Sequence, residues 1–389
     1  MTEPSIIFSF FIIFSGAAVL STMALMFRQP MLIAYIGLGI IVGPFAFNLI
    51  PNTKMLVDVS EIGIIFLLFL LGLDMQPSSL LHTLKKTTIV ALISSALFAV
   101  LGYTLALIFG FAQSDAIITG LCMMFSSTII GIKLLPTTVL HHKHTGELMV
   151  GILLLQDLIA ILVLVGIGGI EQGTSDILSY FLLIAAFPLL IAISWLGVRF
   201  VILPLFMKFD RFQEYIFLCA IGWCLGLAEL AELLDLSYEV GAFIAGISLA
   251  SSPISQFIAI SLKPLRDFFL VLFFFTLGAN YNVLYIGDIF WQAALLAGAV
   301  LIIKPLVFRL LLSKLSERNS LSWDVGFRLG QISEFSLVIV LIATSSALIA
   351  EKTGAFIQTA AIITFAVSSY IVMMYFPNPI AVKEELRRD

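Results

Sequence analysis

Apolar stretches of about twenty residues follow one another along the whole chain, and at 1.5 Å per helical residue each matches the roughly 30 Å hydrocarbon layer of a bilayer. No single buried core absorbs so many. Composition sharpens the point: 61% of the 389 residues are hydrophobic and only 11% are charged, where a soluble domain carries about a quarter charged. In hydrocarbon every backbone N–H and C=O needs an internal partner, which restricts repeated spans of this kind to helices. The chain reads as an all-α polytopic membrane protein. A net charge of −4 argues against a nucleic-acid partner. Cys122, Cys219 and Cys224 all fall inside apolar runs without paired spacing, so neither a disulfide framework nor a metal knot is expected. Residues 6–27 lack a basic leader and are long enough to span, so they read as a retained helix rather than a cleaved signal.

Cutting at Gly, Pro and charged clusters predicts about thirteen transmembrane helices, near 6–27, 30–50, 58–74, 87–110, 114–135, 147–170, 177–203, 212–234, 237–254, 264–281, 288–312, 322–349 and 355–376. Charge tests that count. With the N-terminus outside, inner loops and helix ends hold 17 of the 20 Lys and Arg residues, the outside holds Lys54 and Lys352, and Lys304 lies within a span. The positive-inside rule therefore predicts a multi-pass protein with its N-terminus outside and its C-terminus cytoplasmic.

The chain also repeats weakly. IFLLFLLGLDM (65–75) matches VLFFFTLGANY (271–281), aligning Gly72 with Gly278, and IGLGIIVGP (36–44) matches AGISLASSP (245–253), aligning Gly37 with Gly246. The same offset puts Ser127 opposite Ser333. This predicts two inverted six-helix repeats, repeat one over 1–170 and repeat two over 212–376, with 177–203 as linker helix and 377–389 as a short cytoplasmic tail. Inverted repeats place a transporter's substrate site near mid-membrane at the repeat interface.

Charge at bilayer depth costs at least a few kcal/mol, so it marks a cavity or a partner. Asp157 lies about ten residues into its span and Lys304 about eight residues from the inner end of its own, so both sit near mid-depth. In one reading the two meet, and a proton and a metal cation compete for the Asp157 oxygens; in the other they form a structural ion pair between helices. Gln156, about 100° round the helix from Asp157, is either a neutral oxygen ligand or a hydrogen-bonding link to a neighbouring helix. Ser126, Ser127 and Thr128 interrupt one span, and Gly330, Gln331, Ser333 and Glu334 interrupt its repeat mate. Such clusters permit unwound helices whose half-helix ends face a site, the alternative being back-bonded hydroxyls in continuous helices. Glu334, with Arg328 six residues before it, balances the positive half-helix ends or forms a structural salt bridge. His141-His142-Lys143-His144 reads as a solvated basic loop or a pH sensor. Glu229, Glu232, Asp235 and Glu239 read as an ordinary outer loop or a cation attractor.

Six segments in order, EIGIIFLLFLLGLDM (61–75), FSSTIIGIKLL (125–135), VGILLLQDLIAI (150–161), GAFIAGISLASS (241–252), FFFTLGANYN (273–282) and LGQISEFSLV (329–338), resemble the monovalent cation:proton antiporter-2 family, and within it the Kef-type potassium/proton antiporters. The resemblance runs over nearly the whole chain. It implies a homodimer in the cell's inner membrane, each protomer with a dimerisation domain and a core of two crossed discontinuous helices, moving its site by elevator-type alternating access. It puts the cation- and proton-binding group at Asp157, beside Gln156 and the unwound Ser126, Ser127 and Thr128. It gives core support to Lys304 and Glu334, to which the residue reading above adds Ser333 and Arg328. Gln-Asp in place of Asp-Asp resembles the potassium-selective, electroneutral branch, with Na⁺ as second cation. The expected function is transport rather than enzyme catalysis, with no cofactor beyond the carried K⁺ or Na⁺ and H⁺. Two departures stand out. Kef proteins carry a cytoplasmic nucleotide-binding domain after the membrane part, where this sequence reads KEELRRD, so nucleotide and glutathione gating are not expected of this chain itself, and a separate cytoplasmic subunit or a missing nucleotide-binding domain is the candidate regulatory partner. SPISQFIAISLKPLRD (252–267) has no acid before Asp267, unlike the family's acidic regulatory loop.

Overall fold

The computed structural model describes residues 5–27, 29–50, 54–74, 77–128, 131, 144–171, 177–209, 211–234, 236, 238–252 and 254–376. The labelled helices are α1 (Ile6–Met26), α2 (Met31–Val42), α3 (Lys54–Asp74), α4 (Pro77–Ile108), α5 (Gln113–Met123), α6 (His144–Glu171), α7 (Ile177–Gly197), α8 (Leu203–Lys208), α9 (Gln213–Leu233), α10 (Tyr238–Ala250), α11 (Ser255–Ala279), α12 (Ile286–Lys314), α13 (Asn319–Arg328), α14 (Glu334–Ser345) and α15 (Glu351–Tyr375). Among the described residues no strand occurs. Among the described residues six helical stretches are long and apolar enough to cross a membrane: 6–26, 87–108, 186–208, 213–233, 283–314 and 351–375. Shorter apolar helices include 31–42, 61–70, 148–164, 240–250 and 334–345.

Several boundaries differ from the sequence expectation. The expected 30–50 span ends at Val42, because Gly43-Pro44 stops the helix and Asn48 takes a positive φ of 53°. The expected 264–281 span begins earlier, at Ser255, and carries Pro264 inside it. The 177–203 span continues through a π-helical turn, Val198–Ile202, to Lys208. The expected 114–135 and 322–349 spans are each interrupted near their middles, as described below.

The chain divides into two compact units. One comprises the described residues of Asn52–Leu81 and Ile161–Thr276. In it α3 and α10 approach so closely that a Cβ on Gly72 would lie 2.5 Å from the Phe243 carbonyl oxygen and 3.0 Å from the Gly246 Cα, and a Cβ on Gly246 would strike the Phe69 carbonyl. Without water to drive helices together in lipid, glycine faces admit the backbone contact that replaces it.

The other unit comprises the described residues of Met1–Pro51, His82–Ala160 and Leu277–Asp389. It contains a similar seam, where a Cβ on Gly278 would meet the Ile36 carbonyl of α2. At one end of this unit the buried Asp115, in the first turn of α5, accepts the backbone N–H of Ala350 at 3.2 Å. Ala350 is the N-cap of α15 and has no side-chain oxygen of its own, so Asp115 caps that helix from outside. Asp115→Ala is expected to cost about 1–2 kcal/mol, the usual value of a lost N-cap, with Asp115→Asn retaining most of it; thermal unfolding in detergent checks the order.

Candidate functional site

Two helix interruptions meet in this second unit. α5 ends at Met123, residues 125–127 are non-helical, and helical structure resumes at Thr128, where the Gly131 N–H bonds the Ser127 carbonyl at 3.0 Å. α13 ends at Arg328, residues 330–333 are non-helical, and α14 starts at Glu334 with Ser333 as its N-cap, the hydroxyl accepting the Phe335 N–H at 3.1 Å. The sequence permits both breaks. Serine and threonine hydroxyls offer the backbone alternative partners, and Gly330 has little helical preference.

Unwound backbone in hydrocarbon must find replacement partners, and here the two breaks largely satisfy each other. Ser126 Oγ donates to the Leu329 carbonyl at 2.8 Å, and Gln331 Nε2 donates to the Ser127 carbonyl at 3.3 Å. One turn away Ser336 Oγ donates to the Cys122 carbonyl at 2.6 Å, and Cys122 Sγ returns a contact to the Ser336 carbonyl at 3.6 Å. Helix α15 supplies the remainder: Thr364 Oγ1 accepts the Ile332 N–H at 3.2 Å, and Ser368 Oγ donates to Gln331 Oε1 at 3.0 Å. From α12, the Lys304 ammonium reaches into both breaks, donating to the Phe125 carbonyl at 2.6 Å and the Gln331 carbonyl at 3.0 Å, with the Phe98 ring centroid 5.0 Å away.

Helix α6 brings its two polar residues to the same place. Gln156 Oε1 accepts the Ser126 N–H at 3.0 Å, and Asp157 Oδ2 accepts the Thr128 hydroxyl at 3.3 Å. Asp157 is fully buried, and its Oδ1 has no hydrogen-bond partner among the described residues. Glu334, also buried, lies within electrostatic range of the Asp157 carboxylate. A buried carboxylate oxygen left without a donor, beside a second carboxylate, is suited to a proton or a cation and to little else.

All nine expected site residues thus lie in one unit, but one pairing differs from expectation. Lys304 does not form an ion pair with Asp157 among the described residues; the carbonyls exposed by the breaks take its protons instead. Gln156 takes the second of its two readings, a hydrogen-bonding link to the neighbouring interrupted helix, because its amide oxygen holds the Ser126 N–H. The opposite amide orientation would set NH₂ against N–H, so the assignment follows from chemistry. Arg328 pairs with Asp324, one turn back, at 2.7 Å. Sequence reasoning gave Gln331 no role of its own and missed Thr364, Ser336 and Ser368. A lone hydroxyl in an apolar helix gives no signal above chance. His141, His142, Lys143 and Asp235 lie outside the described residues. Glu229 and Glu232 are exposed on α9. Among the described residues no group of three His, Cys, Asp or Glu is arranged to hold a metal.

The profile described as "Sodium/hydrogen exchanger, transmembrane" matches residues 11–376. Similar curated proteins include K(+) efflux antiporter 4 of Arabidopsis thaliana, 30% identical over 83% of this chain and 56% of its own length. The putative cation/proton antiporter YbaL of Escherichia coli K12 is 29% identical over 83% of this chain and 60% of its own. The chain therefore spans little more than half the length of these relatives. Among solved structures, the sodium proton antiporter MjNhaP1 of Methanocaldococcus jannaschii at pH 8 superposes with a TM-score of 0.71, covering 93% of this chain and 94% of that one at 17% identity. That likeness is one of fold.

Proposed function

The chain belongs to the family of transmembrane sodium/hydrogen exchangers, and from that premise we propose that it is a secondary antiporter exchanging K⁺ for protons at Asp157. The observation that carries this reading is the buried Asp157 Oδ1, without a donor among the described residues, beside two helix interruptions. A proton on that oxygen and a cation beside it exclude each other, so loading one releases the other. Thr128 holds the second oxygen and Gln156 tethers the unwound segment, which leaves one titrating position on Asp157 and suits a one-for-one exchange.

K⁺ is preferred because Gln156 contributes no charge and because relatives carry the name K(+) efflux antiporter; Na⁺ is the second reading. Alternating access would follow an elevator-type movement within a homodimer of the inner membrane, with the N-terminus outside and the C-terminus cytoplasmic. The reading of two inverted six-helix repeats is supported by the glycine seams. Exchanging α2 for α10 and α3 for α11, as the sequence matches do, carries Gly72 onto Gly278, which packs on Ile36 of α2, while Gly37, the match of Gly246, faces open space. Regulation would come from a separate cytoplasmic subunit or a nucleotide-binding domain.

The test is purified protein in proteoliposomes with an imposed pH gradient, challenged in turn with K⁺, Rb⁺, Na⁺, Li⁺ and Mg²⁺. Collapse of the gradient on adding K⁺, without net current, is expected. Collapse with Na⁺ and Li⁺ alone would favour the second reading. Current without proton movement would mean a channel, and no response to any cation would end the antiport reading.

A further inference from the structure

We propose that Gln331 is a positioning residue for the Asp157 carboxylate, acting through the peptide that joins Ser127 to Thr128. The inference rests on the exchange reading above and assigns a residue that reading does not use. Gln331 is fully buried in the second break, and each of its polar groups engages a different element. Its Nε2 donates to the Ser127 carbonyl of the first break at 3.3 Å. Its Oε1 accepts the Ser368 hydroxyl of α15 at 3.0 Å, and its backbone carbonyl accepts the Lys304 ammonium of α12 at 3.0 Å. Since a carbonyl oxygen can only accept, the NH₂ group must face Ser127 and the amide oxygen must face the hydroxyl.

The Ser127 carbonyl shares a rigid plane with the Thr128 nitrogen. Fixing that oxygen therefore fixes the tilt of the peptide from which Thr128 enters the next helical turn. The same oxygen takes the Gly131 N–H at 3.0 Å, and the Thr128 side chain donates to Asp157 Oδ2 at 3.3 Å. A continuous chain of bonds thus runs from Ser368 through Gln331 and Ser127 to Thr128 and the carboxylate. Its effect is to keep Oδ2 occupied, so that the ion meets a carboxylate of fixed orientation presenting Oδ1. When the Gln331 donor is lost, the Ser127 carbonyl keeps the Gly131 N–H but loses the bond that ties it to the second break. The Thr128 hydroxyl then strays, and the carboxylate loses its preset orientation.

Exchange in proteoliposomes, titrated with the cation that wild type carries, tests this with Gln331→Met, Ser368→Ala, Thr128→Val and the pairs combining each of the first two with Thr128→Val. Gln331→Met and Thr128→Val are each expected to raise the apparent KM roughly tenfold, as for one lost hydrogen bond, with Vmax changed less than about twofold. Ser368→Ala, which removes only the support of the amide, is expected to raise it about threefold. Both double variants are expected to match Thr128→Val alone within about twofold, because all act through one bond. Additive effects in the double variants, or a drop in thermal stability with KM unchanged, would overturn the proposal. If Gln331→Met yields no folded protein, the Ser368→Ala and Thr128→Val cycle decides alone. Should wild type exchange and Asp157→Asn not, while both Gln331→Met and Ser368→Ala keep the wild-type KM, only this inference falls. Should wild type exchange nothing, the exchange reading falls and takes this one with it.

Discussion

Asp157→Asn is expected to fold normally and to reduce cation-dependent proton movement to the level of protein-free liposomes. The substitution preserves shape, and the Asn carbonyl can still accept the Thr128 hydroxyl that Asp157 Oδ2 accepts. What it removes is the exchangeable proton and the negative charge that a cation neutralises. Stability should not suffer, since two buried carboxylates in electrostatic range, Asp157 and Glu334, become one. The measurement is therefore a pair: a thermal midpoint equal to or above wild type, and no response of the pH gradient to K⁺. An Asn variant that exchanges as well as wild type would show that another group carries the proton, with Glu334 the next to test.

The second large effect is expected at Lys304. If this ammonium serves chiefly to bind the carbonyls of Phe125 and Gln331, then Lys304→Met leaves two buried acceptors without a donor among the described residues. Each such orphan costs about 1–3 kcal/mol, partly offset because no ammonium need be buried, so the net loss is about 2–4 kcal/mol. Lys304→Gln keeps two N–H donors on a shorter stem and should recover part of that loss. A charge partner for Asp157 would behave differently: Met and Gln, both neutral, would be equally poor. Thermal unfolding of the two variants side by side separates the roles. Equal midpoints would contradict the carbonyl-clamp reading.

Much of this site was legible from residue types alone, and the reason is energetic. A carboxylate at Asp157 and an ammonium at Lys304 are too costly in hydrocarbon to be incidental, so depth alone marked both. Ser126–Thr128 and Gly330–Glu334 were legible as breaks because hydroxyls and glycine interrupt otherwise uniform apolar runs. Pairing was not legible. Depth along a helix says nothing of which neighbour a side chain meets, so Lys304 and Asp157 looked like partners when the exposed carbonyls of Phe125 and Gln331 were the stronger claim on the ammonium. Gln156 illustrates the same limit, since a free amide oxygen and one holding the Ser126 N–H look alike in one dimension. The expected 30–50 span ran past Gly43-Pro44 because hydropathy continues where backbone geometry does not. Ser368 and Thr364 gave no warning, because in a helix such as α15 most hydroxyls bond back to their own turn, as Thr364 also does to Ala361 at 2.8 Å.

The meeting of Asp157, Glu334 and Lys304 in one buried region also has a valence consequence. With both acids ionised and the amine protonated, these three groups sum to one unit negative. A single alkali ion or a single proton brings that sum to neutrality, whereas a divalent ion would overshoot to a bare positive charge, which the bilayer interior penalises by several kcal/mol. Discrimination against magnesium and calcium would then follow from electroneutrality rather than from ionic radius, and the Mg²⁺ arm of the liposome series reads it directly.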